Sequence, residues 1–230
     1  MILPSKHLKK VLQRIQQATK QANRETEDIR LIAVSKTKPA ADVEQVYLAG
    51  QREFGENYLQ EALDKIAALH HLTDIKWHFI GAIQSNKTRP IAEHFDWVHS
   101  VDRLKIARRL AEQRPPELPP LNICLQVNLS NEDSKSGVSI TEVPALAKQV
   151  SQLKHLSLRG LMAIPLKTDD PAQQHFYFHQ LKHCLDELNS QGMQLDTLSM
   201  GMSNDMEVAI AEGATMIRIG TAIFGERSAK

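Results

Sequence analysis

The sequence has little of what marks secreted, membrane-spanning or disulfide-stabilised proteins. Its 230 residues include two cysteines, Cys124 and Cys184, whose spacing fits neither a CxxC redox pair nor a zinc site. No apolar run approaches the roughly 20 residues of a transmembrane helix, and the N-terminus has no continuous apolar stretch of the kind a secretory signal needs. We therefore expect two free, buried thiols in a cytoplasmic protein with no membrane partner.

An excess of charge of either sign is also missing. The 28 Lys and Arg residues against 27 Asp and Glu give a formal net charge of +1 at pH 7. This balance argues against a nucleic-acid partner recognised through bulk charge, but it leaves room for a local anion site. The composition, 42% hydrophobic and 24% charged, is that of a globular chain able to bury one sizeable core.

The N-terminal segment is basic and can be interpreted in two ways. Residues 1–24 hold six basic residues and no acidic one, which faintly resembles an organelle transit peptide. Leu8, Val11, Leu12 and Ile15, however, fall at the i, i+3, i+4, i+7 positions of a packed helix. We favour an N-terminal helix that packs on the domain.

The rest of the chain alternates short apolar runs with longer helical patterns, which predicts parallel strands joined by helical crossovers. The strand candidates are 29–34, 52–56, 76–81, 96–101, 121–129, 156–164, 195–201 and 215–225. Eight units at about 29 residues each match the roughly 30 residues of a βα unit. No GxGxxG follows an early strand, so an open dinucleotide-binding sheet is disfavoured. The prediction is an α/β fold: one (β/α)8 TIM-type barrel domain over 1–230 with an extra N-terminal helix, in which the Pro-rich stretch 114–121 stiffens a loop.

In such barrels the chemistry lies at the C-terminal ends of the strands. The candidates there are Lys36, Lys38, Glu56, Asn57, His78, Gly81, Gln84, Asn128, Lys135, Met162, Met200, Gly201, Ser203, Arg218, Gly220 and Thr221. The last two strands matter most, because loops after strands seven and eight often bind phosphate. Ser203 and Thr221 offer hydroxyls, and Gly220 permits close backbone approach. Ser203 is alternatively a helix cap, and Asn204 with Glu207 resembles a capping pair.

Two charged residues lie in or directly after predicted apolar strands, where a charge is unusual. Lys36 follows at once on the apolar run of the first strand, in "LIAVSKTKP". Arg218 lies inside an otherwise apolar strand, which is costly unless a carboxylate or a ligand pairs with it. A lysine beside a phosphate cradle indicates a phosphorylated aldehyde held as a Schiff base. Pyridoxal phosphate (PLP) is the first candidate, and a PLP-free sugar-phosphate aldolase is the alternative.

The chain resembles a known family, the pyridoxal phosphate homeostasis proteins, which are small PLP-binding relatives of the alanine racemase N-terminal barrel. The matching segments run in order over nearly the whole chain: "LIAVSKTKP", "FGENYLQEALDK", "WHFIGAIQSNK", "VHSVDR", "NLSNEDSKSGV", "RGLMAIP" and "LSMGMSNDMEVAIAEGATMIRIGTAIFGER". The resemblance implies that Lys36 forms the internal aldimine with PLP. It implies that Arg218 faces the pyridine nitrogen and that Asn57 lies near the ring. It also implies that Ser203, Gly220 and Thr221 bind the phosphate.

The family resemblance further implies control of PLP supply and amino-acid balance, without a robust reaction. Elementary chemistry agrees, because a charged arginine opposite the ring nitrogen disfavours the pyridinium that carbanion chemistry needs. A racemase also needs acid–base groups on both faces of its substrate, and Tyr58 is the one tyrosine near a strand end. A weak PLP-dependent amino-acid racemase remains the alternative function.

Other residues carry weaker expectations. Lys135 and Lys38 are either solvated loop lysines or participants in PLP transfer to apoenzymes. We interpret His78 as a residue that orders the site or packs, and a metal role for it is disfavoured without a second ligand. Met162 and Met200 are core or ring-contact residues, and the remaining histidines are assigned to helix surfaces. Without a second domain to form a dimer, the chain is expected to be a monomer.

Overall fold

The computed structural model describes residues 4–130 and 136–226, in which helices and parallel strands alternate. The strands are β1 Arg30–Val34, β2 Glu53–Glu56, β3 Lys76–Phe79, β4 Trp97–Val101, β5 Leu121–Asn128, β6 Val138–Ser139, β7 Leu156–Ala163, β8 Thr197–Ser199 and β9 Met216–Ile219. The helices are α1 Pro4–Gln21, α2 Ala40–Leu48, α3 Leu59–Ala68, α4 Thr88–His94, α5 Leu104–Gln113, α6 Val143–Val150, α7 Pro171–Ser190, α8 Met206–Ala211 and α9 Thr221–Phe224.

The sheet closes on itself. Neighbouring strands follow the order β4-β3-β2-β1-β9-β8-β7-β5, and an additional β4–β5 pairing completes the ring. Every pairing is parallel. The two-residue β6 pairs with the end of β5 on the side where β4 has already stopped. The described residues thus form a (β/α)8 barrel with an N-terminal helix, and the predicted fold is confirmed.

The two faces of the strands differ in chemistry. On β1, Leu31 and Ala33 face the helices and belong to the main hydrophobic core, whereas Ile32 faces the barrel interior. A small apolar cluster fills part of that interior: Ile32, Trp97, Cys124, Met162 and Met216. The rest of the interior carries polar side chains, which is unlike a barrel filled throughout by branched apolar residues.

Both cysteines are free and buried, as the sequence predicted. Burial raises the pKa of Cys124 to about 12 and that of Cys184 to about 11. Both side chains are therefore neutral thiols at physiological pH and contribute to packing rather than to chemistry.

Helix α1 packs its apolar stripe against α8 and α9 at the other end of the chain. Leu8, Val11 and Ile15 are each 2% exposed, and burying each contributes about 2 kcal/mol. Leu12, predicted to share the stripe, is 45% exposed, and Ala18 extends the buried face instead. The buried apolar stripe of α1 consists of residues 8, 11, 15 and 18. It is narrower than the stripe predicted from the sequence, and Leu12 lies at its margin.

The predicted last strand, 215–225, is too long. Strand β9 ends at Ile219, and the apolar residues after Gly220 form the short helix α9. Gly220 turns the chain with φ −109° and ψ −74°. A short apolar run is compatible with either a buried strand or a buried helix, so periodicity alone could not locate this change. The Pro-rich stretch joins α5 directly to β5, as expected of a loop.

A membrane-crossing role finds no support among the helices of residues 4–130 and 136–226, since none is both long and apolar enough to span a bilayer.

Candidate functional site

Four neighbouring strands, β2, β1, β9 and β8, carry the predicted site residues at or beyond their C-terminal ends. Lys36 lies two residues after β1, and Asn57 directly follows β2. The register pairs Val34 with Gly55, so Lys36 and Asn57 stand at the same level on adjacent strands. Both residues are half-buried. The lysine therefore lies at the rim of the barrel rather than on the outer surface.

On the other side of β1, strand β9 brings Arg218 and Gly220 to the same rim. Arg218 pairs with Ile32, which places Gly220 beside Val34. A Cβ atom at Gly220 would lie 3.2 Å from the Val34 carbonyl oxygen. A side chain here would crowd the neighbouring strand, so glycine keeps the backbone accessible as the chain enters α9 at Thr221.

Arg218 is buried, with 4% of its surface exposed. It donates to the Ser199 hydroxyl at 2.6 Å and to the Ala163 carbonyl at 2.9 Å. The partner expected from the sequence was a carboxylate or a ligand, but both observed acceptors are neutral. Burial lowers the pKa of Arg218 to about 10, while Asp205 and Cys124 act in the opposite direction. The guanidinium remains charged at neutral pH inside the barrel.

Ser203 lies in the turn between β8 and α8, and it does not cap the helix. Asp205 holds the N-cap position and accepts from the Met202 amide. Arg14 of α1 donates to the Ser203 carbonyl at 3.1 Å and to the Glu207 carboxylate at 2.7 Å. The predicted capping pair is therefore wrong, because Glu207 is turned toward α1 and away from the rim.

The hydroxyls of Ser203 and Thr221 make no hydrogen bond to the described part of the chain. Both are available to an incoming oxyanion, together with the backbone around Gly220.

A buried charged cluster holds the Lys36 turn from outside the barrel. Lys65 of α3, which is 4% exposed, donates to the Ser35 carbonyl at 2.6 Å, to Glu56 at 2.7 Å and to Glu61 at 2.6 Å. The Ser35 hydroxyl also donates to Glu56 at 2.6 Å. We call Ser35, Glu56, Glu61 and Lys65 the outer network. It fixes the backbone on which Lys36 stands.

The turn itself has a constrained backbone. Thr37, immediately after Lys36, has φ +64°, a conformation that β-branched residues rarely adopt. Its amide donates to Glu61 at 2.6 Å, which ties this strained residue to the outer network. Glu56, a candidate at the rim in the sequence, instead faces the helix layer, because it points to the opposite side of β2 from Gly55.

Inside the barrel, His78 packs and bonds as the sequence suggested. Its ring stacks on Trp97 with a centroid distance of 5.7 Å and bonds to His99 and Glu53. His99 contradicts the assignment of the other histidines to helix surfaces, since it lies in β4 and is fully buried. Ser199, also fully buried, was not identified from the sequence. Trp97 and His99 are two positions apart in β4, so both side chains face the barrel interior. This alternation was the sequence signal that could have identified His99.

The remaining candidates divide into core, rim and undescribed residues. Met162 and Met200 are fully buried, as expected of core residues. The Lys38 ammonium donates to the Glu226 carbonyl at 2.8 Å. Lys135 lies outside the described residues.

Two features test whether the rim fits a flat, phosphorylated ring. The Asn57 Oδ1 atom is buried and accepts no hydrogen bond from the described residues, so a bound ligand could supply its donor. A Cβ at Gly81 would meet the Asn57 carbonyl oxygen at 2.1 Å, so this glycine lets the Asn57 segment pass close by. With the cradle at Gly220 and the two hydroxyls, these residues fit PLP. A cleft of about 290 Å³ adjoins these residues, and both Asn57 and Tyr58 line it.

Residues 4–130 and 136–226 contain no group of three or more His, Cys, Asp or Glu side chains placed to hold a metal ion.

The closed barrel and its rim define a barrel of the alanine racemase N-terminal-domain class. The sequence model of that family, "Alanine racemase, N-terminal domain", matches residues 7–228. The barrel also superposes on the alanine racemase of Corynebacterium glutamicum with a TM-score of 0.71 at 15% identity, covering 95% of this chain and 63% of that chain. At that identity the likeness shows the fold alone.

Within that class the chain belongs to the pyridoxal phosphate homeostasis protein family. It is 61% identical over 223 residues to the family member of Pseudomonas aeruginosa, covering 97% of this chain and 95% of the relative. It is 52% identical over 223 residues to that of Escherichia coli K12, covering 96% and 95%. PipY of Synechococcus elongatus PCC7942, solved with PLP bound, superposes with a TM-score of 0.81 at 43% identity, covering 92% of this chain and 100% of that chain.

Proposed function

We propose that this protein binds PLP at the barrel rim, covalently through Lys36, and serves PLP homeostasis rather than catalysis. The observation that carries the proposal is the convergence of Lys36, Asn57, Arg218 and Gly220 at the ends of three neighbouring strands, β2, β1 and β9. The PLP-bound structure of the Synechococcus relative and the names of the Pseudomonas and Escherichia relatives support it.

In this proposal, three residues interact with the PLP ring. Lys36, held by the outer network, forms a Schiff base through its ε-amino group. The orphan Asn57 Oδ1 accepts a hydrogen bond at the ring edge. Arg218, buried beneath the rim, directs its positive charge at the pyridine nitrogen.

Three further residues hold the phosphate. The Ser203 and Thr221 hydroxyls donate to its oxygens, and Gly220 lets the backbone approach it closely. Arg14 also pairs with Glu207, so the negative charge of this glutamate beside the Ser203 turn is balanced.

Weak or absent catalysis follows from the charge at Arg218. When bound, PLP supplies an aldehyde that condenses with amines and a ring that withdraws electrons best when its nitrogen is protonated. Arg218, with a pKa of about 10, is a cation at neutral pH and opposes that protonation. Tyr58, the candidate for a second acid–base group, is 52% exposed and is therefore not held in place by packing. A weak amino-acid racemase remains the second candidate, supported by the fold of the alanine racemases.

The first test is the absorption spectrum of the purified protein with added PLP, before and after borohydride. We expect a visible band that borohydride abolishes, with the reduced label on the peptide that contains Lys36. Lys36→Ala should lose the band and the label completely. Lys38→Ala, a lysine two positions away that bonds to a backbone carbonyl, is the matched control and should keep both.

The outcomes separate the candidates. A wild-type protein that gains no band contradicts PLP binding in any form, and a band that persists in Lys36→Ala contradicts the covalent site. Conversion of L-alanine to D-alanine by the loaded protein would favour the racemase. Transfer of PLP to an added apoenzyme without such conversion supports the homeostasis role.

The proposal also covers location and assembly. We place the protein in the cytoplasm, in keeping with its two free thiols, and treat it as a monomer. Sedimentation velocity of the loaded protein checks the second point, because a dimer would sediment as a species of twice the mass of 25.9 kDa.

A further inference from the structure

Five polar side chains form a continuous hydrogen-bonded chain through the barrel interior. Arg218 donates to Ser199 at 2.6 Å, and Ser199 bonds to His99 Nδ1 at 2.7 Å. His99 Nε2 bonds to His78 Nδ1 at 2.9 Å, and His78 Nε2 bonds to Glu53 at 2.6 Å. We call this chain the Arg218–Glu53 relay. It leads from the candidate cofactor site to a carboxylate at the opposite end of the barrel.

The relay crosses the barrel rather than following one sheet edge. Glu53 begins β2 and is 22% exposed, whereas His78, His99 and Ser199 are fully buried. The bond between His99 and Ser199 joins β4 to β8, which are not neighbours in the sheet. Buried polar groups of this kind are costly unless each finds a partner, and here each one does.

The two ends of the relay fix its direction. A guanidinium only donates and a carboxylate only accepts. With both imidazoles neutral, Glu53 must accept from His78 Nε2–H, which leaves His78 Nδ1 to accept from His99 Nε2–H. His99 Nδ1 then accepts from the hydroxyl of Ser199, whose oxygen accepts from Arg218. Every hydrogen bond is thus donated toward Glu53, and no other neutral arrangement satisfies all four.

The charges around the relay agree with this arrangement at His99 and at Glu53. Burial lowers the pKa of His99 well below its ordinary value, and positive charge on His78, Arg218 and Arg30 lowers it further. Burial raises the pKa of Glu53, but the hydrogen bond from His78 and positive charge on His78, Arg30 and Lys76 outweigh that effect and keep it below its ordinary value. A neutral His99 and an ionised Glu53 follow.

We propose that Ser199, His99, His78 and Glu53 are positioning residues that orient the Arg218 guanidinium toward the cofactor ring. The inference rests on the proposed function only in taking Arg218 to face that ring. Ser199 accepts from one guanidinium nitrogen while the Ala163 carbonyl accepts from the other, so the plane of the guanidinium is fixed by two bonds. Because the Ser199 hydrogen is committed to His99, its oxygen stays turned toward Arg218.

The direction of the relay can be measured without any cofactor. Long-range ¹H–¹⁵N NMR of the apoprotein near neutral pH reports the protonation state of each imidazole. We expect both His78 and His99 to be neutral and to carry their proton on Nε2. In Glu53→Gln the terminal amide can donate as well as accept, so the reversed chain also becomes possible. We expect a second tautomer to appear at both rings in this variant.

The effect on the cofactor is measured with Ser199→Ala. This variant removes the acceptor of Arg218, and we expect the PLP dissociation constant to rise about tenfold, the factor for one hydrogen bond of a charged group. The visible band of bound PLP should also shift, since the charge opposite the ring nitrogen is no longer held in place. Ser100→Ala is the matched control, because Ser100 is a buried β4 serine that donates to the Gly81 carbonyl outside the relay. It should leave the band unchanged.

Each result decides between the relay and its alternatives. A proton on Nδ1 of either ring, or a doubly protonated His78, in the wild-type apoprotein overturns the assigned direction. Unchanged affinity and an unchanged band in Ser199→Ala overturn the positioning role, even if the tautomers are as expected. If Ser199→Ala does not fold, a band shift in Glu53→Gln supports the role and an unchanged band contradicts it. A wild-type protein that binds no PLP contradicts the proposed function and leaves the tautomer result standing.

Discussion

Two carboxylates on the same short strand serve opposite sides of one site. Glu53 and Glu56 both belong to β2, but Glu53 faces the barrel interior and Glu56 faces the helix layer. Glu53 ends the Arg218–Glu53 relay, which reaches Arg218 from within the barrel. Glu56 anchors the outer network, which holds the Lys36 turn from outside. A three-residue spacing, and hence a change of strand face, separates the two supports of the site.

The two carboxylates also differ in how their negative charge is tolerated. Burial raises the pKa of Glu56, and the Lys65 ammonium with the Ser35 hydroxyl offsets only part of that effect. Its Oε2 atom is buried and has no hydrogen-bond partner in the described residues. Glu53 is partly exposed and its pKa lies below the ordinary value. Burial of the negative charge is therefore less favourable at Glu56 than at Glu53.

The largest expected effect comes from breaking the outer network at Lys65. Lys65→Met leaves Glu56 and Glu61 without their shared cation, so we expect a loss of about 3–5 kcal/mol in the free energy of unfolding. Urea denaturation of the apoprotein measures it. Lys182→Met breaks an exposed pair with Asp186 and is the matched control, with an expected loss below about 1 kcal/mol. Similar losses in the two variants would show that the Lys65 cluster behaves as a surface pair.

The second prediction is that the two carboxylates change the free energy of unfolding in opposite directions as pH rises. Because the pKa of Glu53 is lowered by folding, its contribution to stability is lost as pH falls below 4.5 through the folded-state value. Because the pKa of Glu56 is raised, its contribution is lost as pH rises above 4.5 through the folded-state value. Glu53→Gln should reduce the loss of stability as pH falls below 4.5. Glu56→Gln should reduce the loss of stability as pH rises above 4.5. Equal changes in both variants would contradict the comparison.

The smallest effect concerns a third ion pair, which is exposed and lies beside the Ser203 turn. Arg14 and Glu207 have side chains that are 41% and 43% exposed, so Arg14→Ala should cost less than about 1 kcal/mol. Calorimetric melting of the apoprotein checks this value. A loss as large as that of Lys65→Met would place this pair in the same class as the outer network.

The sequence predicted the barrel because its signals are local. Eight apolar runs and the helical patterns between them are each visible within a few residues, even for the short runs that became β2 and β4. The end of β9 was not predictable in this way, because Ile223 and Phe224 are as apolar in a buried helix as they would be in a strand.

The positions of the site residues could be predicted once the barrel was predicted. The outer network and the relay that hold them could not. Lys36, Asn57, Ser203, Arg218, Gly220 and Thr221 lie on adjacent strand ends once the ring closes. Lys65 looks like any solvated helix lysine in the sequence, and the depth of its ammonium depends on the packing of α3. The bond between His99 and Ser199 joins residues 100 positions apart, a separation at which no local pattern carries information.

The N-terminal and C-terminal elements of the barrel pack against each other, and this has a consequence for the order of folding. Strand β1 pairs with β9 near the C-terminus, and Arg24 donates to the Ile210 and Ala214 carbonyls. During synthesis, β1 emerges long before its partner β9, and α1 emerges long before α8 and α9. Contacts of such long sequence separation form late and slowly. Arg218 and Gly220 reach Lys36 only in that final step, so a nascent or truncated chain presents the lysine without these two residues.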